Sequence, residues 1–253
     1  MASFSYLAGF DGISNFREPD VNKETPRREP FKIIGHRGAM AVHPENSLEG
    51  FRYLLENGIE WAETDLRVNR HGDIVLHHDF VSKLLIPVRF SGKELNALPL
   101  VTLLNTLPNL KLNLEIKSLN VMEHLDGITH LQETPERFIF SSFHHSLVNK
   151  LKSRFPRIPC LLLLEGAFCD LCRYVNESGA DGLVFQYEFY EPEEIVCLVA
   201  AGKMIFSYSV DLLEEAVRFR EMGLSGIISN HPVRIRDMLL EAESSSPFNP
   251  RCK

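Results

Sequence analysis

Trp61-Ala62-Glu63-Thr64-Asp65-Leu66-Arg67-Val68, followed by the turn Asn69-Arg70-His71-Gly72 and the run Asp73-Ile74-Val75-Leu76-His77-His78, decides the fold. The first eight residues alternate between two kinds of side chain, the mark of a β-strand. That alternation puts Glu63 and Asp65 on one face and Ala62, Thr64 and Leu66 on the other. The turn has only four residues, and a parallel crossover needs a dozen or more. Residues 73–78 therefore fold back as a short hairpin arm and do not take a place in a parallel sheet.

Working outward, further apolar runs stand at 32–38, 111–117, 138–143, 159–164, 182–186, 203–209 and 226–229. Between them lie helical patterns at 48–57, 121–131, 147–155, 170–177, 192–200, 212–221 and 233–240. With 61–68 the strands number eight, which is what a closed parallel TIM (β/α)8 barrel requires. The hairpin is an extension after its second strand. A polar lead occupies 1–30, the barrel 31–241, and a Ser-rich tail at 242–253 reads as disordered. Asn46 with Glu49, and Ser91 with Glu94, have the spacing of helix-capping pairs, and Gly58 stands where a left-handed C-cap belongs.

The 253 residues are 44% hydrophobic and 24% charged, enough to bury a large core. A net charge of −7 argues against nucleic acid or an anionic membrane as the main partner, because those surfaces demand clustered Lys and Arg. No run approaches the roughly 20 apolar residues of a membrane span, and the N-terminus lacks the basic start of a signal peptide. The five cysteines, Cys160, Cys169, Cys172, Cys197 and Cys252, are odd in number and fit free thiols in a reducing, cytoplasmic setting. Cys169 and Cys172 form a lone CxxC with no second pair to complete a zinc site.

Five short strings carry the chemistry: Gly35-His36-Arg37-Gly38, Pro44-Glu45-Asn46, Glu63-Thr64-Asp65, His78-Asp79 and Glu115-Ile116-Lys117. On the third strand Asn113, Glu115 and Lys117 share a face by the same alternation. Neighbouring first, second and third strands bring His36, Glu63, Asp65 and Glu115 towards the C-terminal mouth, where barrel enzymes keep their active sites. Three such carboxylates repel one another unless a cation sits among them or Arg37, Arg67 and Lys117 pair with them. An all-oxygen set suits Mg²⁺ or Ca²⁺ better than zinc. Only one of His77 and His78 can face the site, and Asp79 singles out His78.

In order and spacing these strings resemble the HRG, PEN, ExD, HD and ExK pattern of the glycerophosphodiester phosphodiesterase family, over roughly residues 32 to 235. The resemblance implies a metal-dependent hydrolase that cleaves glycerophosphodiesters to glycerol 3-phosphate and an alcohol. It implies metal ligands Glu63, Asp65 and Glu115 for one Mg²⁺ or Ca²⁺, with His36 and His78 sharing general acid and base roles. Arg37 and Lys117 would hold the phosphate, and Glu45 could support them. Rival readings are a lysophospholipase D-like activity, with the run 80–86 as a chain-binding wall, and a non-catalytic barrel that binds the same diesters. Three segments depart from the family pattern. Phe80-Val81-Ser82 follows the HD pair in place of Arg-Thr-Thr. Tyr208-Ser209-Val210-Asp211 stands for Trp-Thr-Val-Asn, and Ser229-Asn230-His231-Pro232 for Thr-Asp-Arg-Pro.

Overall fold

The computed structural model describes residues 30–79 and 97–245. The lead at 1–29, the apolar run at 80–86, the Ser91 and Glu94 pair and Cys252 lie outside the described residues.

Strands β1 (Lys32–Gly35) and β2 (Trp61–Val68) open the barrel, and β3 (Ile74–Leu76) pairs antiparallel with β2. The parallel strands continue with β4 (Lys111–Ile116), β5 (Phe138–Ser142), β6 (Cys160–Leu164) and β7 (Gly182–Gln186). The last two are β8 (Met204–Tyr208) and β9 (Gly226–Ser229). The sheet runs β1-β9-β8-β7-β6-β5-β4-β2, and a β1–β2 pairing closes the ring. Eight parallel strands make the barrel, with β3 outside it.

Both faces of these strands are buried. Outward residues such as Leu112, Phe140, Leu162 and Leu183 pack under the helices. Ile34, Ile139, Leu161, Leu163, Val184, Phe206 and Ile228 form a second cluster on the inner face. Each fully buried side chain of this size contributes about 1.5–3 kcal/mol. The inner filling is thus apolar along β5 to β9, while β2 and β4 turn Glu63, Asp65, Asn113 and Glu115 inward.

Helix α1 (Leu48–Glu56) starts one residue later than the capping pattern suggests. Ser47 is its cap, accepting from the Gly50 N–H at 3.2 Å. Asn46 is released from that task and takes a left-handed backbone with φ of 56°. Gly58, with φ of 73°, has the left-handed conformation expected after α1. The Ser91 and Glu94 pattern suggests a short helix after it; the short helix α2 (Leu100–Thr106) stands further along the chain and starts after Pro99 without a side-chain cap. The helix expected at 121–131 is broken into α3 (Val121–His124), a 3-10 turn over Leu125–Gly127 and α4 (His130–Glu133). Gly127 at the break is the poorest helix former of the run.

The remaining helices are α5 (His145–Arg154), α6 (Leu171–Glu177), α7 (Pro192–Ala200), α8 (Leu213–Met222) and α9 (Pro232–Ser245). Residues 242–245, expected in the disordered tail, continue α9. The expectation of free thiols is also corrected. Cys172 on α6 and Cys197 on α7 form a disulfide with Cα atoms 6.1 Å apart. The partner lies 25 residues away on the next βα unit, an adjacency that cysteine spacing does not reveal. Cys160 is free and buried, its thiol pushed up to about 12 by burial, and Cys169 is free and exposed. Among the described residues no helix is long and apolar enough to cross a membrane.

Candidate active site

β2 and β4 lie in register with Asp65 beside Glu115 and Glu63 beside Asn113. Because both strands present alternate residues to the interior, all four polar side chains converge. One carboxylate oxygen from each of Glu63, Asp65 and Glu115 lies within 4.8 Å of the others, and all three residues are buried. Burial first, and then repulsion from Asp65 and Glu115, hold the Glu63 carboxyl well above the usual carboxylate range. Burial likewise raises Glu115, although the Lys117 ammonium pulls the other way.

The donor set fits a divalent cation. Glu63 Oε1 and Asn113 Oδ1 are buried without a hydrogen-bond partner, and an orphaned buried oxygen costs about 1–3 kcal/mol unless something else satisfies it. Hard oxygen donors without Cys or His suit Mg²⁺ or Ca²⁺. The ion-pair alternative accounts for only part of the cluster. Lys117 Nζ lies 2.7 Å from Glu115 Oε1 and 3.4 Å from Asp65 Oδ1, and Arg37 Nε lies 3.5 Å from Asp65 Oδ2.

The β1–α1 loop crosses above this cluster. Arg37 adopts a left-handed backbone with φ of 48°, and its N–H donates to Glu63 Oε2 at 3.0 Å. Its guanidinium reaches Glu45 Oε2 at 2.6 Å, which gives Glu45 a contact with Arg37. Asn46, expected as a cap, donates to Asp65 Oδ2 at 3.2 Å and accepts from Thr64 Oγ1 at 2.7 Å.

His36 Nε2 points towards Glu63 Oε2 at 3.9 Å, and its Nδ1 meets Asn230 Oδ1 at 2.6 Å. Burial lowers its pKa, partly offset by the Asn230 contact. The Asn230 amide is itself oriented, donating from Nδ2 to Asp211 Oδ2 at 2.6 Å. Asp211 Oδ1 also accepts from Ser229 Oγ at 2.7 Å and from the Asn230 N–H at 2.8 Å. With its amide nitrogen committed to Asp211, Asn230 offers an oxygen to His36. Nδ1 must then carry the proton, leaving Nε2 as the acceptor.

His78 is held by its main chain, whose carbonyl accepts from Arg67 Nε at 3.2 Å and Nη2 at 2.7 Å. His78 Nδ1 lies 2.9 Å from Asp79 Oδ1, a bond that lowers the Asp79 pKa.

These groups surround a cavity of about 250 Å³. His36, Arg37, Glu63, Glu115, Lys117 and His78 line it together with Phe143, Leu163, Glu165, Val184, Tyr208 and Ile228. His77 instead borders a separate cavity beside Glu45, Ser47 and Leu98. Sequence reasoning missed the roles of Asn230, Asp211 and Arg67. The paired departures at 211 and 230 were the signal available for the first two.

A closed barrel with two imidazoles, two cationic side chains and a buried carboxylate cluster that could hold a metal ion at its C-terminal mouth has the architecture of a barrel enzyme. Against known families, the model of the glycerophosphoryl diester phosphodiesterase family matches residues 36–89 and 84–234. The chain belongs to that family. A glycerophosphodiester phosphodiesterase of Caldanaerobacter subterraneus is 25% identical over 228 residues, covering 79% of this chain and 94% of its own. The crystal structure of a putative glycerophosphodiester phosphodiesterase from Galdieria sulphuraria is 25% identical with a TM-score of 0.71, over 83% of this chain and 98% of that one. An Oleispira antarctica phosphodiesterase, solved with its product sn-glycerol-3-phosphate, is 19% identical with a TM-score of 0.72, over 82% and 96% of the two chains. The last likeness establishes the fold alone.

Proposed function

We propose that the protein hydrolyses glycerophosphodiesters to sn-glycerol 3-phosphate and an alcohol. The observation that carries this reading is the buried cluster of Glu63, Asp65 and Glu115 with an orphaned carboxylate oxygen, flanked by His36, Arg37 and Lys117. A single Mg²⁺ or Ca²⁺ held by the three carboxylates would supply Lewis-acid polarisation of a phosphoryl oxygen. Arg37 and Lys117 bind the remaining phosphate oxygens and offset the charge that builds on them in the transition state. His36 is the base: Asn230 keeps the proton on Nδ1, and the lowered pKa keeps Nε2 free to take one from the attacking nucleophile. That nucleophile is either water directly or the glycerol 2-hydroxyl, whose cyclic phosphate water then opens to glycerol 3-phosphate. His78, oriented through Asp79, returns a proton to the departing alcohol oxygen. Glu45 supports the site by fixing the Arg37 guanidinium.

Phosphorus NMR of glycerophosphocholine with the purified protein in Mg²⁺, in Ca²⁺ and in chelator tests this. A glycerol 3-phosphate signal that the chelator suppresses is expected, and a transient cyclic phosphate would identify attack by the glycerol 2-hydroxyl. In the same assay His78→Ala should lose about 10²-fold or more and His77→Ala far less. The reverse ranking would remove His78 from the reaction.

A second reading, cleavage of lysophospholipids, is favoured by one observation. Val42, Leu119, Phe143, Phe168, Phe189 and Leu212 are exposed, and each sits in a loop that follows a barrel strand at the mouth. Apolar side chains gathered around one opening suit an acyl chain. Faster turnover of lysophosphatidylcholine than of glycerophosphocholine would decide for it.

A further inference from the structure

Among the described residues that line the cavity, Glu165 is the carboxylate that the proposed reaction does not use. It follows directly on β6, across the ring from β1 and His36. Among the described residues it has no hydrogen bond and no ion pair. Its neighbours on the cavity wall are Phe143, at the end of β5, and Tyr208, at the end of β8, with Leu163 and Val184 between. Tyr208 lies within the field of Glu165, which adds to the effect of burial in raising its phenol pKa. Lys117 lies 5.9 Å from the Phe143 ring centroid, but that ammonium is already committed to Glu115 and Asp65.

Glu165 is exposed at the rim of the cavity, so water hydrates its charge in the free protein, yet that charge still biases which phosphodiester anion binds beside it. It repels a substrate whose alcohol is neutral or negative, and it attracts one whose alcohol brings a positive charge. Aromatic rings beside a carboxylate are the surroundings in which an ammonium is stabilised, by the ring faces and by the charge together. Among the described residues, the other charged groups that line the cavity belong to the proposed cation site, the phosphate clamp and the two imidazoles.

We propose that Glu165, with Phe143 and Tyr208, forms a subsite for a cationic alcohol, so that the enzyme selects glycerophosphodiesters whose head group carries an ammonium. The inference rests on the phosphodiesterase reading above and names its substrate class. With the phosphate held by Arg37 and Lys117, Phe143 flanks that clamp and the head group extends past it towards Glu165. A zwitterionic substrate spans the cavity with each charge facing its opposite.

The test compares kcat/KM for glycerophosphocholine and for glycerophosphoglycerol, which differ in head-group charge, in the wild-type chain, Glu165→Gln and Glu165→Lys. Wild type should favour the choline ester by about tenfold, the size expected of a partly exposed ion pair reinforced by ring faces. Glu165→Gln should remove most of that ratio, and Glu165→Lys should invert it. A parallel loss on both substrates would mean that Glu165 serves the common glycerol half, and an unchanged ratio would mean that it serves neither. Either overturns the proposal. If neither diester is turned over, the phosphodiesterase reading fails by itself. Calorimetric titration of the two diesters into the wild-type chain and Glu165→Gln then reads the same ratio as dissociation constants, and equal affinities for the two ligands in wild type would overturn the subsite.

Discussion

At Glu63 the demands of the site and of the fold oppose each other. The side chain is 4% exposed and stands among two more carboxylates, so its charged form is penalised by burial first and by Asp65 and Glu115 next. A carboxyl whose pKa is raised on folding binds protons more tightly in the native state than in the unfolded one. Stability is therefore lost as pH rises from the unfolded value through the raised one. At neutral pH and without a cation Glu63 works against the fold. Glu63→Gln should raise the melting temperature in chelator by about 2–4 °C, the shift that relief of about 1 kcal/mol gives in a domain of this size. With excess Mg²⁺ or Ca²⁺ the order should reverse, because the native state is stabilised in proportion to cation affinity and the variant has less. Thermal melts in both conditions check this, and a variant that melts below wild type in chelator would remove Glu63 from the repulsive cluster. Glu63, Asp65 and Glu115 were legible in the sequence because period-two alternation fixes their common face. Asn230 was not, since 194 residues separate it from the His36 ring it touches.

Among the elements, strands were more legible than what joins them. β2, β7 and β9 have the bounds that alternation and apolar runs suggested, because a strand buried on both faces leaves a continuous apolar signal. Helix α2 and the break between α3 and α4 depend on how apolar faces dock on the barrel, which the helical period alone does not specify. The loops after β8 and β9 hold a further lesson. Asp211 stands where the family pattern has Asn and Asn230 where it has Asp, and the structure makes them partners. The exchange moves the carboxylate one residue away from His36 while keeping the two loops tied. Burial alone would raise the Asp211 pKa, but the hydrogen bonds from Ser229, Asn230 and His231 outweigh it and bring it below the usual range. A carboxylate with a depressed folded pKa contributes stability above its unfolded pKa, and that contribution disappears as pH falls through the folded value. Asp211→Asn should therefore melt about 2–4 °C lower at neutral pH, the loss of about 1 kcal/mol from a half-buried charged acceptor. The gap should close in acid, and a gap that persists or widens there would assign the effect to packing.

For the molecule as a whole, the barrel has one seam where its first strand meets its last. β1 pairs with β2 and also with β9, Lys32 lying opposite Gly226 and Gly35 opposite Ser229. Closure therefore joins chain segments almost 200 residues apart, and such contacts form only after the loop entropy between them has been overcome. Gly226 lets the strands meet. A Cβ there would run into the Lys32 carbonyl, a backbone atom that cannot swing aside. His36 directly follows β1 and its N–H donates to Ser229 O at 2.9 Å, so the seam that shuts the barrel also aims the proposed base. Gly226→Ala should cost about 2–3 kcal/mol in overpacking and lower the melting temperature by about 5–10 °C. Gly127→Ala, where an added Cβ meets nothing within 4 Å, should leave it nearly unchanged. The folded fraction of the Gly226 variant should also lose kcat, since a shifted β1 carries His36 away from Glu63. Scanning calorimetry of both variants beside wild type, with turnover per folded molecule, separates the two effects. A Gly226 variant that melts like wild type would show that the seam yields at little cost and that His36 is held chiefly by Asn230.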